Sequence, residues 1–210
     1  KPGFYYCSWD NHNRFGSKTP SDGGWVGMTS FPKNQQEELP PYTTSLYQNF
    51  QTAQIDELLT QFGDIFEMWI DIPGLLSKGY RRFLYNHIAE LQPQAVIMMN
   101  SGIGDGTEYD VDYAWPSDLI AIERKRPPKA GHQHWRSING NEYYIPGEHC
   151  DPIGKEWFFK EGDVARPDAV LAEQFEQTRD AGVNFLLNVP PDRRGQIPDN
   201  YVQALMRLRK

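Results

Sequence analysis

The sequence has little cysteine, no long apolar run and no excess of positive charge, and each shortage excludes a class of protein. Two cysteines, Cys7 and Cys150, occur among 210 residues. They match no zinc-site spacing, and their number favours thiols, although one bridge also fits. No apolar run approaches the roughly 20 residues that a membrane-spanning helix needs. The formal net charge of −7 argues against a sequence-independent grip on nucleic acid phosphates.

These shortages leave a globular protein, which we expect to be soluble. This chain shows no signal peptide, and the sequence does not indicate a compartment. Hydrophobic residues make up 39% and charged residues 23%, as in ordinary folded domains. Aromatic residues are abundant at 13%, including 6 Trp. Two interpretations stay open: a sugar-binding cleft, where flat rings match the C–H faces of pyranoses, or an aromatic-rich core or interface.

Apolar periodicity predicts strands and helices in alternation, with an irregular stretch over 10–41. Buried strands read as continuous apolar runs, and helices as apolar residues at spacings of three and four. The predicted strands cover 4–7, 65–71, 95–100, 118–123, 143–148 and 183–189. The predicted helices cover 43–61, 75–91, 167–181 and 201–210.

This alternation predicts an α/β fold with a parallel sheet. Polar side chains follow apolar strands at Asp71, Asn100 and Asn188, and functional groups at strand carboxyl ends are typical of (β/α) barrels. The glycine-rich loop 101–107 is a weak match to a dinucleotide-binding turn, because no regular helix pattern follows it. We therefore predict one barrel-type domain over 1–210, incomplete because about six strands are visible where a closed barrel has eight.

Three carboxylates are candidates for chemistry. Asp71 ends an apolar strand beside Trp69, where a carboxylate is partly desolvated, but Asp-Ile-Pro-Gly is also a good turn sequence and Asp71 could simply cap it. Glu123 and Glu148 follow the apolar runs 119–122 and 143–145. Each could instead pair with a neighbouring arginine, an interpretation that the sequence Glu-Arg-Lys-Arg at 123–126 invites.

Four motifs, in order and spacing, resemble the α-L-fucosidases of glycoside hydrolase family 29. Together they extend over nearly the whole chain, and the last is the most specific. They are Phe-Tyr-Tyr-Cys-Ser-Trp (4–9), Met-Trp-Ile-Asp (68–71), Gly-Glu-His-Cys-Asp-Pro-Ile-Gly (147–154) and Asn-Phe-Leu-Leu-Asn-Val-Pro-Pro (184–191), the last with Gly-Gln-Ile-Pro (195–198) behind it.

The resemblance implies hydrolysis of fucosylated glycans with retention, on a (β/α) barrel, without cofactor or metal. It makes Asp71 the nucleophile and Glu123 the acid/base, with Glu148 as its rival; Gly147 stands where the family motif carries Trp. Retention requires the two carboxyl groups to stand about 5–5.5 Å apart. The residues that we assign to substrate binding are Tyr6, Trp9, Trp69, Glu148 and Trp157.

Two departures from the family qualify this prediction. The upstream His-His-Asp-Gly-Phe segment, whose histidines hold fucose hydroxyls, is absent from this chain, and so is the C-terminal β-sandwich. We therefore expect a catalytic core without its first barrel strands, which forms a homo-oligomer to cover the open side. One alternative function is a catalytically silent carbohydrate-binding remnant of the same fold. The intact motifs disfavour a fragment that folds poorly.

Overall fold

The computed structural model describes residues 1–8 and 46–209, which form two compact units. Among these described residues, the first unit contains 1–8, 46–101, 109–120 and 138–141, and the second contains 102–108, 121–137 and 142–209. In chain order the described elements are β1 (Gly3–Cys7), α1 (Leu46–Gln61), β2 (Glu67–Asp71), α2 (Lys78–Leu91), β3 (Val96–Met99), α3 (Val111–Ala114), β4 (Ile120–Glu123), β5 (Trp135–Ile138), β6 (Asn141–Tyr144), β7 (Gly147–Pro152), α4 (Asp168–Asp180), β8 (Asn184–Asn188) and α5 (Asp199–Leu208).

The first unit is built on a parallel three-stranded sheet in the order β1, β2, β3. The register pairs Tyr5 with Trp69 and Cys7 with Asp71. The first four residues of β2 are buried, as the apolar run predicts. The helices α1 and α2 pack against the sheet and close its core, whose fully buried members include Ile55, Leu59, Met68, Ile70, Leu84, Ile88 and Met99.

The helix α2 begins three residues later than the apolar pattern predicts. Residues 73–75 form a separate 3-10 turn, and the Ser77 side chain caps the helix by accepting the Tyr80 backbone N–H at 3.3 Å. A serine at this position satisfies a backbone donor that would otherwise lack a partner at the helix start. The predicted start at Leu75 is therefore wrong, because leucine offers no such acceptor.

The second unit contains a sheet in the order β4, β7, β8, with β7 and β8 parallel. The helices α4 and α5 pack with it around a small apolar cluster. Its buried members are Ile153, Leu171, Tyr201 and Ala204.

About six strands were predicted; the described residues contain eight, six of them in the two three-stranded sheets and two in a separate two-stranded sheet. The predicted strand 143–148 is two strands, β6 and β7, separated at Pro146. Proline lacks the N–H that a central strand position donates. The hairpin β5–β6 was not predicted; its turn residues Asn139 and Gly140 both have positive φ, as tight hairpin turns require. The α/β class is confirmed, whereas the described sheets do not establish a closed barrel.

The structure also bears on the expectations for the two cysteines and for membrane-spanning helices. Cys7 and Cys150 are thiols, which confirms the expectation drawn from their number. Over the two described stretches, 1–8 and 46–209, no helix is long and apolar enough to cross a bilayer. The segment 10–41 and the predicted helix start at Thr43 lie outside the described residues.

His149 of β7 lies in a buried polar network in the second unit. His149 is fully buried, and its ring contacts the Thr178 hydroxyl of α4 at 2.9 Å. Burial lowers the pKa of His149 to about 4; the cations Arg126 and Arg166 act in the same direction, and Asp151 opposes them. The folded protein therefore holds this histidine neutral at neutral pH.

Stability is expected to fall as the pH drops from 7 to 5. In the unfolded chain the His149 pKa returns to about 6.5, so the unfolded state binds more protons over this range. The free energy of unfolding should decrease by about 2 kcal/mol from this group. Urea unfolding at both pH values measures the change, with His149→Gln as the comparison. An equal loss of stability in the variant would contradict the assignment to His149.

Candidate active site

Asp71 lies at the carboxyl end of β2, and three donors hold its carboxylate. The Tyr5 hydroxyl donates to Oδ2 at 2.5 Å. The Asn100 side-chain amide and the Ile72 backbone N–H donate to Oδ1 at 2.8 and 2.9 Å. The last of these is the turn-capping bond that the sequence also allowed. Both carboxylate oxygens therefore point in fixed directions, as a nucleophile's must.

The parallel register explains why these groups meet. Alternate residues of a strand face opposite sides of its sheet, so Tyr5 and Cys7 share one face with Trp69 and Asp71. The Tyr5 and Trp69 rings are stacked, with centroids 5.5 Å apart. Burial of the Tyr5 hydroxyl and its bond to Asp71 raise the pKa of Tyr5 far above its ordinary value, so this hydroxyl remains a donor.

Tyr6 faces the other side of the sheet. It packs against the core of the first unit, and its hydroxyl donates to the Gln54 side chain of α1 at 2.7 Å. Of the residues predicted to bind substrate, the structure thus places Trp69 beside Asp71 and Tyr6 on the helix-covered face. Trp9 lies outside the described residues. The sequence analysis placed Asn100 at a strand end without giving it a role, and it did not assign Tyr5 to the site.

The residue after Asp71 has an unusual backbone conformation. Ile72 has φ 53° and ψ 48°, in the left-handed region that β-branched residues rarely adopt. Arg124, which follows Glu123, also has φ 53°. Within the described ranges, Asn139 of the hairpin turn is the third non-glycine residue with positive φ. Backbone strain of this kind clusters at functional sites, and here it marks the ends of β2 and β4.

Glu123 ends β4 in the second unit and is half-buried. Its backbone N–H donates to the Gly104 carbonyl at 3.1 Å. The Arg124 guanidinium lies over the Trp157 ring, 4.9 Å from the centroid. The Asn188 amide donates to the Trp157 carbonyl at 2.8 Å. The carboxyl ends of β4 and β8 are therefore joined through Trp157, which places this predicted sugar-binding ring beside the strand end that carries Glu123.

Glu148 has a different setting within the same unit. It is 1% exposed, and its Oε2 accepts the Asn184 amide at 2.7 Å. The register pairs Glu148 with Asn184, the first residue of β8, and Pro152 with Asn188, the last. Glu148 therefore lies at the amino-terminal edge of the parallel pair β7–β8, whereas Asn188 and Trp157 lie at the carboxyl edge.

In the part of the chain that the structure describes, no three histidine, cysteine, aspartate or glutamate side chains converge as metal ligands would. The arrangement around Asp71 supplies an oriented carboxylate, neutral donors and aromatic faces. These groups suit carbohydrate chemistry that proceeds through carboxyl groups.

Comparison with known proteins gives consistent matches. The sequence model of the α-L-fucosidase family matches residues 7–210. α-L-Fucosidase 1 from Arabidopsis thaliana is 28% identical over 196 residues, which cover 86% of this chain and 37% of that protein. This chain therefore spans little more than a third of the length of that curated relative.

Solved structures agree with the sequence comparison. α-L-Fucosidase isoenzyme 1 from Paenibacillus thiaminolyticus superimposes with a TM-score of 0.68 at 26% identity, covering 98% of this chain and 47% of that one. Unliganded α-L-fucosidase AlfC from Lactobacillus casei superimposes with a TM-score of 0.65 at 25% identity, covering 98% and 57%. The described fold is thus similar to part of these proteins.

Proposed function

This chain belongs to the α-L-fucosidase family, and on that premise we propose that it is the catalytic part of a retaining exo-glycosidase that releases α-L-fucose from fucosylated glycans. The observation that carries the proposal is the Asp71 carboxylate, which ends a buried strand and accepts hydrogen bonds from Tyr5, Asn100 and its own turn. The proposal includes the (β/α)-barrel architecture over 1–210, which is supported by parallel strands with polar residues at their carboxyl ends.

Asp71 acts as the nucleophile in the proposed mechanism. One carboxylate oxygen attacks the anomeric carbon as the bond to the glycosidic oxygen breaks, and Glu123 gives its proton to that departing oxygen. Water then attacks the same carbon while the Glu123 carboxylate takes the water's proton, and the ester to Asp71 breaks. Two inversions leave the fucose with its original anomeric configuration. Tyr5 and Asn100 hold the carboxylate for attack.

Glu123 suits the acid/base role better than Glu148 does. Active-site groups of barrel enzymes lie at the carboxyl ends of strands, and Glu123 ends β4 as Asp71 ends β2. Each is followed by a residue in the left-handed conformation. Glu148 lies at the amino-terminal edge of β7, held by the Asn184 amide. We therefore assign Glu148 to the stability of the β7–β8 pair rather than to chemistry or substrate contact.

We propose sugar contacts in each unit taken by itself. In the first unit they are made by the Tyr5 ring, which is 57% exposed, together with the buried Trp69 on which it stacks. In the second unit they are made by Trp157 with the adjacent Phe158. Phe158 is 81% exposed, and exposed rings offer flat apolar faces to pyranoses. Trp9 stays a predicted contact. We assign to Tyr5 the role predicted for Tyr6, because Tyr5 is the tyrosine on the Asp71 face.

The predicted homo-oligomer stays a proposal, and exposed aromatic surface supports it. Phe62 and Phe66 are 59% and 55% exposed, and the Phe62 ring lies 5.7 Å from that of Phe4. Apolar patches of this kind drive association. Light scattering should give a mass above that of the 24.3 kDa chain, reduced by Phe62→Ser. A fully active, monodisperse monomer would contradict it.

Turnover of 4-nitrophenyl α-L-fucoside tests the proposed function directly. We expect nitrophenol release from the α-L-fucoside and none from the corresponding β-L-fucoside, with the fucose product first appearing as the α anomer in NMR spectra. A protein that binds fucose but releases no nitrophenol would instead be the carbohydrate-binding remnant. A product that first appears as the β anomer would contradict retention.

A further inference from the structure

The glycine-rich stretch of the sequence lies beside Glu123. Residues 102–107, which we call the glycine loop, belong to the second unit, as does Glu123. The Gly104 carbonyl accepts the Glu123 backbone N–H at 3.1 Å, and these two residues form an isolated antiparallel bridge. The chain turns immediately after Glu123, because Arg124 has a φ of 53°. The glycine loop therefore holds the backbone of Glu123 at the point where β4 ends.

Arg136 of β5 fastens the other end of the glycine loop. Its guanidinium donates to the Gly106 carbonyl at 2.5 Å and to the Thr107 carbonyl at 2.7 Å. Hydrogen bonds from a charged group are stronger than those between neutral groups, and a planar fork that reaches two acceptors also fixes their direction. Within the loop, the Asp105 carboxylate accepts the backbone N–H and the hydroxyl of Thr107 at 2.9 and 2.6 Å. These four bonds fix the path of the loop beyond Gly104.

Gly106 lets the glycine loop lie closely against β4. It is buried and has a φ of +80°, a conformation that residues with a side chain rarely adopt. A Cβ atom built on Gly106 would lie 2.8 Å from His132 Cε1 and 2.8 Å from Ile122 Cγ1, well inside van der Waals contact. Ile122 is fully buried and precedes Glu123 in β4. The loop is thus packed on the residue before Glu123 as well as bonded to Glu123 itself.

We propose that Arg136 is a positioning residue, which holds the glycine loop and through it the backbone of Glu123, so that the Glu123 carboxyl group reaches the glycosidic oxygen. The inference rests on the proposed function, which makes Glu123 the acid/base. A general acid gives up its proton within hydrogen-bond reach of the accepting oxygen. A displacement of about 1 Å at such a group costs up to about 10²-fold in rate. The loop therefore contributes to catalysis without touching the substrate.

The rates on two substrates test this role. Arg136→Met keeps most of the side-chain bulk and removes the donors. We expect its kcat/KM on a fucosylated disaccharide to fall about 10- to 100-fold, because proton donation to a poor leaving group is impaired. On 4-nitrophenyl α-L-fucoside, whose leaving group departs without a proton, kcat/KM should stay within about twofold of wild type. Arg136→Lys keeps a cation that can donate to one carbonyl, and it should recover part of the loss.

Arg179→Met is the matched control, because this exposed arginine pairs with its neighbour Asp180 at the end of α4, and both rates should be unchanged. A general loss of folded enzyme lowers both rates by the same factor. Equal losses on the two substrates in Arg136→Met would therefore overturn the inference, and so would unchanged rates on both. If Arg136→Met does not fold, Gly106→Ala, which displaces the glycine loop from Ile122, should show the same dependence on the leaving group.

A double-mutant cycle tests whether Arg136 acts through Glu123. In a Glu123→Gln background, Arg136→Met should add little to the loss on the disaccharide, because the acid is already gone. A full additional loss would show that Arg136 acts by another route and would overturn the inference. A wild-type protein that turns over neither substrate would refute the proposed function, and the role of Arg136 with it. A wild-type protein that turns over both, with no leaving-group dependence in the variants, would refute the role of Arg136 alone.

Discussion

Replacement of Asp71 by alanine is expected to abolish turnover, with a loss on the order of 10⁴-fold or more, as removal of a nucleophile gives in other hydrolases. The fold should persist, because the change removes acceptors for Tyr5 and Asn100 but no core side chain. Azide should restore part of the activity by entering the vacated space and attacking the anomeric carbon. The product of that rescue is β-L-fucosyl azide, which mass spectrometry and NMR can identify.

A matched control separates this effect from the general loss of a carboxylate. Asp180→Ala removes an exposed aspartate that pairs with Arg179 at the end of α4, and it should leave both turnover and azide response unchanged. Near-normal turnover by Asp71→Ala in the absence of azide would refute the assignment. Restoration by azide with formation of the α-fucosyl azide would refute retention through Asp71 while leaving its involvement in catalysis intact.

The nucleophile candidate was visible in the sequence because its signal is local. A continuous apolar run that stops at a carboxylate describes both the buried strand β2 and the position of Asp71 at its end. The donors to Asp71 come from strands far away in sequence, and only the register identifies them. The triplet Phe4-Tyr5-Tyr6 has no apolar–polar alternation, so nothing local decides which tyrosine shares a face with Asp71.

The place of Glu148 in its sheet likewise depends on strand register, which the sequence does not show. In the sequence, Glu148 and Glu123 each follow an apolar run, and this pattern predicts that each residue ends a strand. The break at Pro146 makes Glu148 the second residue of β7 rather than the last of a strand, and the pairing with Asn184 then places it at the amino-terminal edge. The helix α3 has four residues and is too short for periodicity to reveal.

The second large effect concerns the acid/base. Glu123→Gln should reduce turnover of glycans, whose leaving groups need protonation, by about 10²–10⁴-fold. Turnover of activated aryl fucosides should be affected far less, because nitrophenolate departs without a proton. The alkaline limb of the pH–rate profile should disappear, since that limb reports deprotonation of the general acid. Kinetics on 4-nitrophenyl α-L-fucoside and on a fucosylated disaccharide, measured across the pH range, give both readouts.

Glu148→Gln is the matched variant, because it makes the same chemical change at the other candidate. Glutamine is nearly isosteric and its carbonyl oxygen still accepts the Asn184 amide, so the β7–β8 pair should remain intact. We expect similar losses, if any, on both substrates, because a residue at the amino-terminal edge does not protonate the leaving oxygen. The opposite pattern, with leaving-group dependence in Glu148→Gln and not in Glu123→Gln, would exchange the two roles. It would also show that the carboxyl edge of β4 does not carry the proposed acid.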